Sequence, residues 1–469
     1  MHPEFDKFAL HNQHWVGIEP FLDLDPHLRR LKGLPYVFES PLLKKLPFTK
    51  PGIYLLGGGR QVGKSTFLKQ AVLKIIKEGA IPNEDILFLT GEVVYSADEL
   101  RRLLKLYLEN KPGPTLVLID EVGYIPDWDK AIKFLADAGL FERTSLVLSG
   151  SDLVIMKEAM KRFPGRRGRE YPTNFHYYPL SFPEFLLLKS VIDPATFREL
   201  AETPSEEWKN LPLIQKTCPI LYEALKDYFI TGGYLVAINE KAREGKISLA
   251  TLATYWEWIV GDTLKHKKTE NYLREILTGI LKRYTTPVSW NALSKDLSID
   301  HHKTVSDYCD LLSQMDAVFI QPALLEHKKS AAPKKAKKIY FTDPFIHHAV
   351  QTMIQSIGDP WQEYLIPLMT GPEEAFSPYA EEVVITHFRR NYPTFYIKNG
   401  GEIDLAYIKE GSILPVEIKW TSQLRPKDLA FISEKKQGVV AAKVNRVFSL
   451  NHLMVVPIPL LLMKEIPAV

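Results

Sequence analysis

The strongest constraint on this chain is the stretch GGGRQVGKST at residues 57–66, set directly after the apolar run IYLL and before the amphipathic stretch STFLKQAVLKIIKEG. Gly58, four residues, then Gly63-Lys64-Ser65 is the pattern of a phosphate-binding loop. Glycines there let main-chain amides turn inward around phosphate oxygens, and the helix that follows adds its positive N-terminal end. Gly58, Gly59, Arg60, Gln61, Val62, Gly63, Lys64, Ser65 and Thr66 form the predicted nucleotide-binding loop. Lys64 would reach the β- and γ-phosphates, and the Ser65 hydroxyl would ligate Mg2+. A strand before and a helix after separate this from a chance glycine-rich turn.

The surrounding pattern extends the constraint. DILFLT, TLVLID and TSLVLSG are further short apolar runs separated by helical stretches. Such runs predict a parallel sheet covered on both faces. TLVLID ends in Asp120 and is followed by Glu121; Asp120 would hold the Mg2+ shell and Glu121 would polarise the attacking water. Ser149 and Ser151 end the next strand, where Ser149 could sense the γ-phosphate. The basic segment KRFPGRRGRE offers Arg162, Arg166, Arg167 and Arg169. Arg169 is carried as a candidate for a nucleotide on a neighbouring subunit, against a solvated loop as the ordinary alternative.

GGGRQVGKST, LVLIDEVGYIPDW, LVLSGSD, GRE before YYPLSFPEF, and YFITGGYL occur in that order. Together they resemble the AAA+-type P-loop ATPases of bacteria and archaea that carry a C-terminal PD-(D/E)XK nuclease-like domain of unknown function. The resemblance runs from about residue 20 to the end. Gly59 stands where that family commonly has proline, and Ser65 where it often has threonine. Neither change removes a phosphate donor or the metal-binding hydroxyl. The resemblance implies ATP and Mg2+ as cofactors.

With 469 residues, 45% apolar and 25% charged, the chain is long enough for several packed domains. The expected class is multidomain α/β. Residues 1–50 read as a docked leader, 51–180 as an AAA+-like ATPase core, 181–280 as a helical lid, 281–350 as a winged-helix domain and 351–469 as a nuclease-like α/β domain. In the last of these, EIDLAYI and ILPVEIKW give Asp404, twelve residues, then Glu417-x-Lys419. Residues two apart on a strand share a face, so Glu417 and Lys419 project together beside Asp404. Asp404 and Glu417 would bind Mg2+ and Lys419 would orient the water or neutralise developing charge. Glu381, on the helix AEEVVITHFRR, matches the family's acidic position and would complete the metal site, with Glu382 as the alternative. An E-x-K on a strand is equally the pattern of a solvated ion-pair face.

In 281–350, helices are expected at 289–296 and 302–315, with AVFIQPA and KKIYF as wing strands around six lysines between 328 and 338. A wing of this kind would neutralise DNA phosphates, whereas Asp307 and Asp310 on the outward helix face oppose base readout.

The net charge of +3 neither requires nor excludes a polyanionic partner. Cys218 and Cys309 lack disulfide or zinc spacing, which suits a reducing, cytoplasmic setting. The start of the sequence lacks the pattern of a signal peptide. LMVVPIPLLLM is too short and too broken by proline to span a bilayer, so no membrane partner is expected. The expected activity is ATP hydrolysis coupled to action on DNA, with the Mg2+-dependent nuclease-like tail as a candidate for cleaving it and a homo-oligomer as a candidate assembly. The alternative is a nucleotide switch with a non-cleaving tail, in which the leader and the aromatic run YWEWIV mark partner surfaces.

Overall fold

The computed structural model describes residues 2–109, 111–151, 156, 161, 163, 165–297, 299–435 and 437–464. The chain divides after Tyr178 into two compact units.

The first unit is built on five parallel strands: β1 (Gly52–Gly57), β2 (Ile86–Thr90), β3 (Thr115–Asp120), β4 (Thr144–Gly150) and β5 (Asn174–His176). Their order across the sheet is β2-β3-β4-β1-β5. β1 to β4 are buried along their whole length. That accounts for apolar runs that are continuous instead of alternating. β4 lies between the strand that feeds the glycine-rich loop and the strand that ends in the acids. Side chains at the end of β4 can therefore reach both.

The leader closes an edge of this sheet. It folds as 3-10 turns, Pro3–His11 and Gln13–Trp15, and its Phe5 and Phe8 join the core beside Leu87 and Leu89. The Asn12 side chain donates to Phe88 O at 2.8 Å and accepts from Phe88 N at 2.7 Å. The Trp15 indole donates to Ile86 O at 2.8 Å. Main-chain groups that an edge strand leaves open are thus satisfied by side chains.

The second unit contains a helical part and a second sheet. The helices Pro212–Thr231, Leu235–Glu244, Leu249–Lys265 and Glu270–Lys282 precede Trp290–Asp296 and His302–Gln314. Tyr255, Trp256, Trp258 and Ile259 are buried. YWEWIV is therefore core, which corrects its reading as a partner surface. Strand β6 (Val318–Pro322) pairs antiparallel with β9 (Lys337–Phe341), and the short β7 (Leu324–Leu325) with β8 (Ser330–Ala331).

The remaining strands are β10 (Thr394–Lys398), β11 (Glu402–Lys409), β12 (Ser412–Lys419), β13 (Val439–Ala442), β14 (Phe448–Leu450) and β15 (Leu453–Pro457). They lie in the order β10-β11-β12-β13-β15-β14. β11 and β12 form a hairpin through Glu410 and Gly411, both at positive φ (49° and 74°). Two left-handed residues suit the twist of a two-residue turn. The helix Ser377–Arg389 packs on β12.

Gly232 and Gly233, the glycines of YFITGGYL, have a packing reason. A Cβ on Gly233 would lie 2.1 Å from Leu180 O, and Asp343 Oδ2 accepts from Gly233 N at 2.9 Å. No helix among the described residues is long and apolar enough to cross a membrane.

Candidate functional sites

The glycine-rich loop leaves the carboxyl end of β1 and enters the helix Lys64–Lys77. Gly58 has φ +154°, and a Cβ there would meet Tyr177 O at 2.4 Å. Gly63 has φ +105° and Gln61 φ +58°. The loop thus uses backbone conformations that suit glycine. Lys64 is buried, and its Nζ donates to Gly58 O at 2.9 Å and Gly59 O at 2.8 Å. It folds back across the loop whose amides would face phosphate. Val62 is buried, Ser65 and Thr66 are half-buried in the helix's first turn, and Arg60 reaches the Tyr124 hydroxyl at 3.4 Å.

The acids arrive from β3. Asp120, buried, accepts a hydrogen bond from the fully buried Ser149 hydroxyl of β4. Glu121 sits in the left-handed region at φ 50°, which a non-glycine residue adopts at a cost. A Cβ on Gly91, which follows β2, would come within 2.3 Å of Glu121 O. Glu121 Oε2 accepts from Ser151 N at 3.2 Å and Ser151 Oγ at 3.0 Å, while Oε1 lies 3.8 Å from Lys64 Nζ. Lysine, acids and both serines therefore meet at one edge of the sheet. Ser65 and Asp120 have the donor chemistry for a magnesium ion accompanying a triphosphate: a hydroxyl in the first helical turn and a carboxylate held by a neutral hydroxyl.

Sequence reasoning missed His27. Its Nδ1 lies 3.3 Å from Thr66 Oγ1, placing the leader against the helix that carries Lys64. Burial holds the His27 imidazole below its ordinary pKa. Nearby, the fully buried Lys69 pairs with Asp25 at 3.0 Å. Nothing in the local pattern DPHLRR marks this contact.

The arginines separate. Arg166 pairs with Asp137, and Arg167 donates to Thr173 O at 2.9 Å. Arg162 lies outside the described residues. Arg169 is exposed and follows Gly168, which bridges to Gly52 at the start of β1. The loop lies at the other end of that strand, so the structure does not bring Arg169 to the nucleotide loop of its own chain.

In the second unit, Glu381, Asp404, Glu417 and Lys419 gather on one side of the β11–β12 hairpin, and Lys338 joins them. Lys338 Nζ, only 1% exposed, lies 2.9 Å from Glu381, 2.9 Å from Glu402 and 3.4 Å from Asp404. The Tyr340 hydroxyl donates to Glu381 Oε1 at 2.5 Å. Asp404 Oδ2 accepts from Ile418 N at 3.0 Å, and Lys419 pairs with Glu417 at 2.6 Å. Burial and then Asp404 raise Glu381 to about 7 and Glu417 to about 8.

Glu382, the alternative acid, points elsewhere. It is fully buried and accepts from the Tyr284 hydroxyl at 2.5 Å, with His347 Nδ1 at 3.1 Å.

The expected lysine-rich wing is also corrected in part. Lys338 is inside this cluster, and Lys329 and Lys335 donate to Gly411 O (2.5 Å) and Lys398 O (3.0 Å). Half of the six lysines are therefore tied to the neighbouring sheet. Asp307 and Asp310 are exposed on the helix His302–Gln314.

Residues 50–186 match the family model of the AAA domain. With the parallel sheet and the loop geometry, this defines an AAA-type P-loop domain in the first part of the chain. Residues 222–356 match a domain of unknown function, DUF8612. No curated protein matches the sequence. Among solved structures, the chain is similar to a Walker-type ATPase of Pyrococcus abyssi at 14% identity, covering 67% of this chain and 94% of that one with a TM-score of 0.38. It is also similar to the Aeropyrum pernix ORC1 protein, solved in complex with DNA, at 14% identity over 76% and 98% of the two chains with a TM-score of 0.32. RuvB of Thermotoga maritima gives 15% identity over 65% and 92%, with a TM-score of 0.27. At overlaps this low, the reading of both sites rests on their own residues.

Proposed function

We propose that this protein binds ATP with Mg2+ at the loop Gly58–Thr66, hydrolyses it, and uses the turnover to act on DNA through its second unit. The observation that carries the ATPase reading is the convergence of Lys64, Asp120 and Glu121. A buried ammonium lies folded over the glycine loop, 3.8 Å from a carboxylate that is itself aimed by Ser151. When bound, Mg2+ neutralises charge on the β- and γ-phosphates. Lys64 exchanges main-chain carbonyls for phosphate oxygens. Ser149 holds Asp120, and Ser151 holds Glu121 where it can orient a water and take its proton.

DNA as the partner is supported by the exposed lysines Lys328 and Lys334, which favour backbone contact without base readout. A nucleotide role for Arg169 falls to a neighbouring copy of the chain. For the tail we favour binding without cleavage, because Lys338 already stands among the acids that cleavage would require.

The test is titration with labelled ATP followed by turnover and by incubation with linear and four-way DNA in Mg2+. Wild type is expected to take up ATP saturably and hydrolyse it, to bind DNA, and to leave it intact. Lys64→Ala should lose nucleotide binding by on the order of 10²–10³-fold. Absence of saturable ATP uptake by folded wild type would sink the ATPase reading. DNA cut by wild type but not by Lys419→Ala would sink the non-cleaving tail.

A further inference from the structure

We infer that Lys338 is the resident cation of the Glu381–Glu402–Asp404 cluster, standing where a nuclease core holds its divalent metal, and that the folded tail takes up no metal there. This deepens the reading of the tail as nuclease-like and rests on it.

The position of Lys338 is set by strand register. It lies opposite Gln321 in the β6–β9 ribbon. Gln321 Nε2 donates to Asp404 O and to Phe395 O, both at 3.0 Å. Two cross-strand neighbours thus grip the same residue, Gln321 by its carbonyl and Lys338 by its carboxylate. Tyr340, two residues along and on the same face, adds its hydroxyl to Glu381. The ribbon that the sequence suggested as a DNA-facing wing is docked on β10 and β11 by Gln321 and Lys338 and on the helix Ser377–Arg389 by Tyr340.

A divalent metal and this ammonium compete for the same oxygens. Mg2+ requires about six oxygen ligands at roughly 2.1 Å and keeps several waters. Here Glu381 Oε1 receives both Lys338 and Tyr340, and the two oxygens of Asp404 receive Lys338 and the Ile418 amide. Lys419 occupies Glu417 Oε1. Among the described residues, no group of three or more His, Cys, Asp or Glu is arranged to hold a metal ion. The residues therefore do not fit the metal that the nuclease pattern implies. One atom argues the other way: Glu417 Oε2 is buried without a hydrogen-bond partner. Removing the Lys338 ammonium would leave Glu381, Glu402 and Asp404 without the cation that holds them in this arrangement, and rotation of their side chains would then bring oxygens together on a divalent ion.

The experiment uses the full chain free of nucleotide and DNA, with Mn2+ as the probe and bound ion counted by electron paramagnetic resonance. Wild type and Asp404→Asn should bind Mn2+ identically. Lys338→Ala should gain a site at least tenfold tighter than any in wild type, and the gain should vanish in Lys338→Ala/Asp404→Asn. Wild-type Mn2+ uptake that Asp404→Asn removes would overturn the inference, as would a folded Lys338→Ala with no gain. Should circular dichroism show Lys338→Ala unfolded, Lys338→Gln replaces it, and the wild-type and Asp404→Asn pair decides alone. Because neither nucleotide nor DNA is present, failure of the ATPase or DNA reading leaves this result intact.

Discussion

Two clusters in this molecule use the same vocabulary, lysine and carboxylates at the ends or edges of strands, and arrive at opposite states. Lys64 donates to main-chain carbonyls and has one carboxylate, Glu121, at 3.8 Å, and Asp120 and Glu121 accept from the hydroxyls of Ser149 and Ser151. Neutral donors orient an acid without supplying a counter-charge, which is the arrangement the proposed metal–phosphate site calls for. Around Lys338 the partners are three carboxylates, and the ammonium is 1% exposed. There the charges are paired inside the fold. What separates an anion-binding site from a structural ion cluster is thus which groups already hold the charged ones.

The comparison breaks first at Glu121. If its carboxylate is kept in reserve for the reaction, Glu121→Gln should bind ATP as wild type does while kcat falls about 10²–10⁴-fold. Equal loss of binding would make Glu121 a structural partner of Lys64. The second unit offers the matching test at Lys338. Lys338→Ala leaves buried acids without their cation, a change that costs about 3–5 kcal/mol. Urea unfolding followed by a probe in the β10–β15 sheet reads it, and a loss below about 1 kcal/mol would mean that water replaces the ammonium. Gly58→Ala tests the cradle itself. The added Cβ meets Tyr177 O at 2.4 Å, so the loop must shift, with strain of about 1–3 kcal/mol appearing as weaker ATP binding.

How much of this was legible differs between the two clusters for a physical reason. The nucleotide loop is contiguous, and ten consecutive residues determine both its backbone shape and its chemistry. The strand-end acids follow from continuous apolar runs. In the tail, Asp404, Glu417 and Lys419 are readable because a hairpin and a period of two bring them together. Glu381 and Glu382 are adjacent on a helix, and only packing tells which one faces the sheet. Lys338 is illegible locally: it lies 66 residues from Asp404 and arrives through the register of a separate ribbon. A lysine-rich stretch ordinarily reads as solvated. KKIYF gives no alternation to single it out, since all of its residues after Lys337 are buried. Arg169 misleads for the converse reason. It is near the nucleotide loop in motif order, but the chain returns to the opposite end of β1.

The finest discrimination is in pH. Glu417 is raised to about 8 from an ordinary value of 4.5, by burial first and by Asp404 next. An acid with a raised folded pKa binds more protons folded than unfolded between those two values. Its contribution to stability is therefore complete below about 4.5 and is lost as pH rises toward 8. For one proton the slope cannot exceed about 1.4 kcal/mol per pH unit. Urea midpoints of the second unit should fall across this window, where Glu381, raised to about 7, adds to the slope, and Glu417→Gln should make the profile shallower. Asp404→Asn should bring the fall to an end at a lower pH, since it removes the second cause of the shift. Mn2+ sharpens the contrast, because a bound cation would pull Glu417 back toward its ionised form and lift the high-pH end of the profile. With Lys338 as the resident cation, wild type should give the same profile with and without Mn2+, and Lys338→Ala should not.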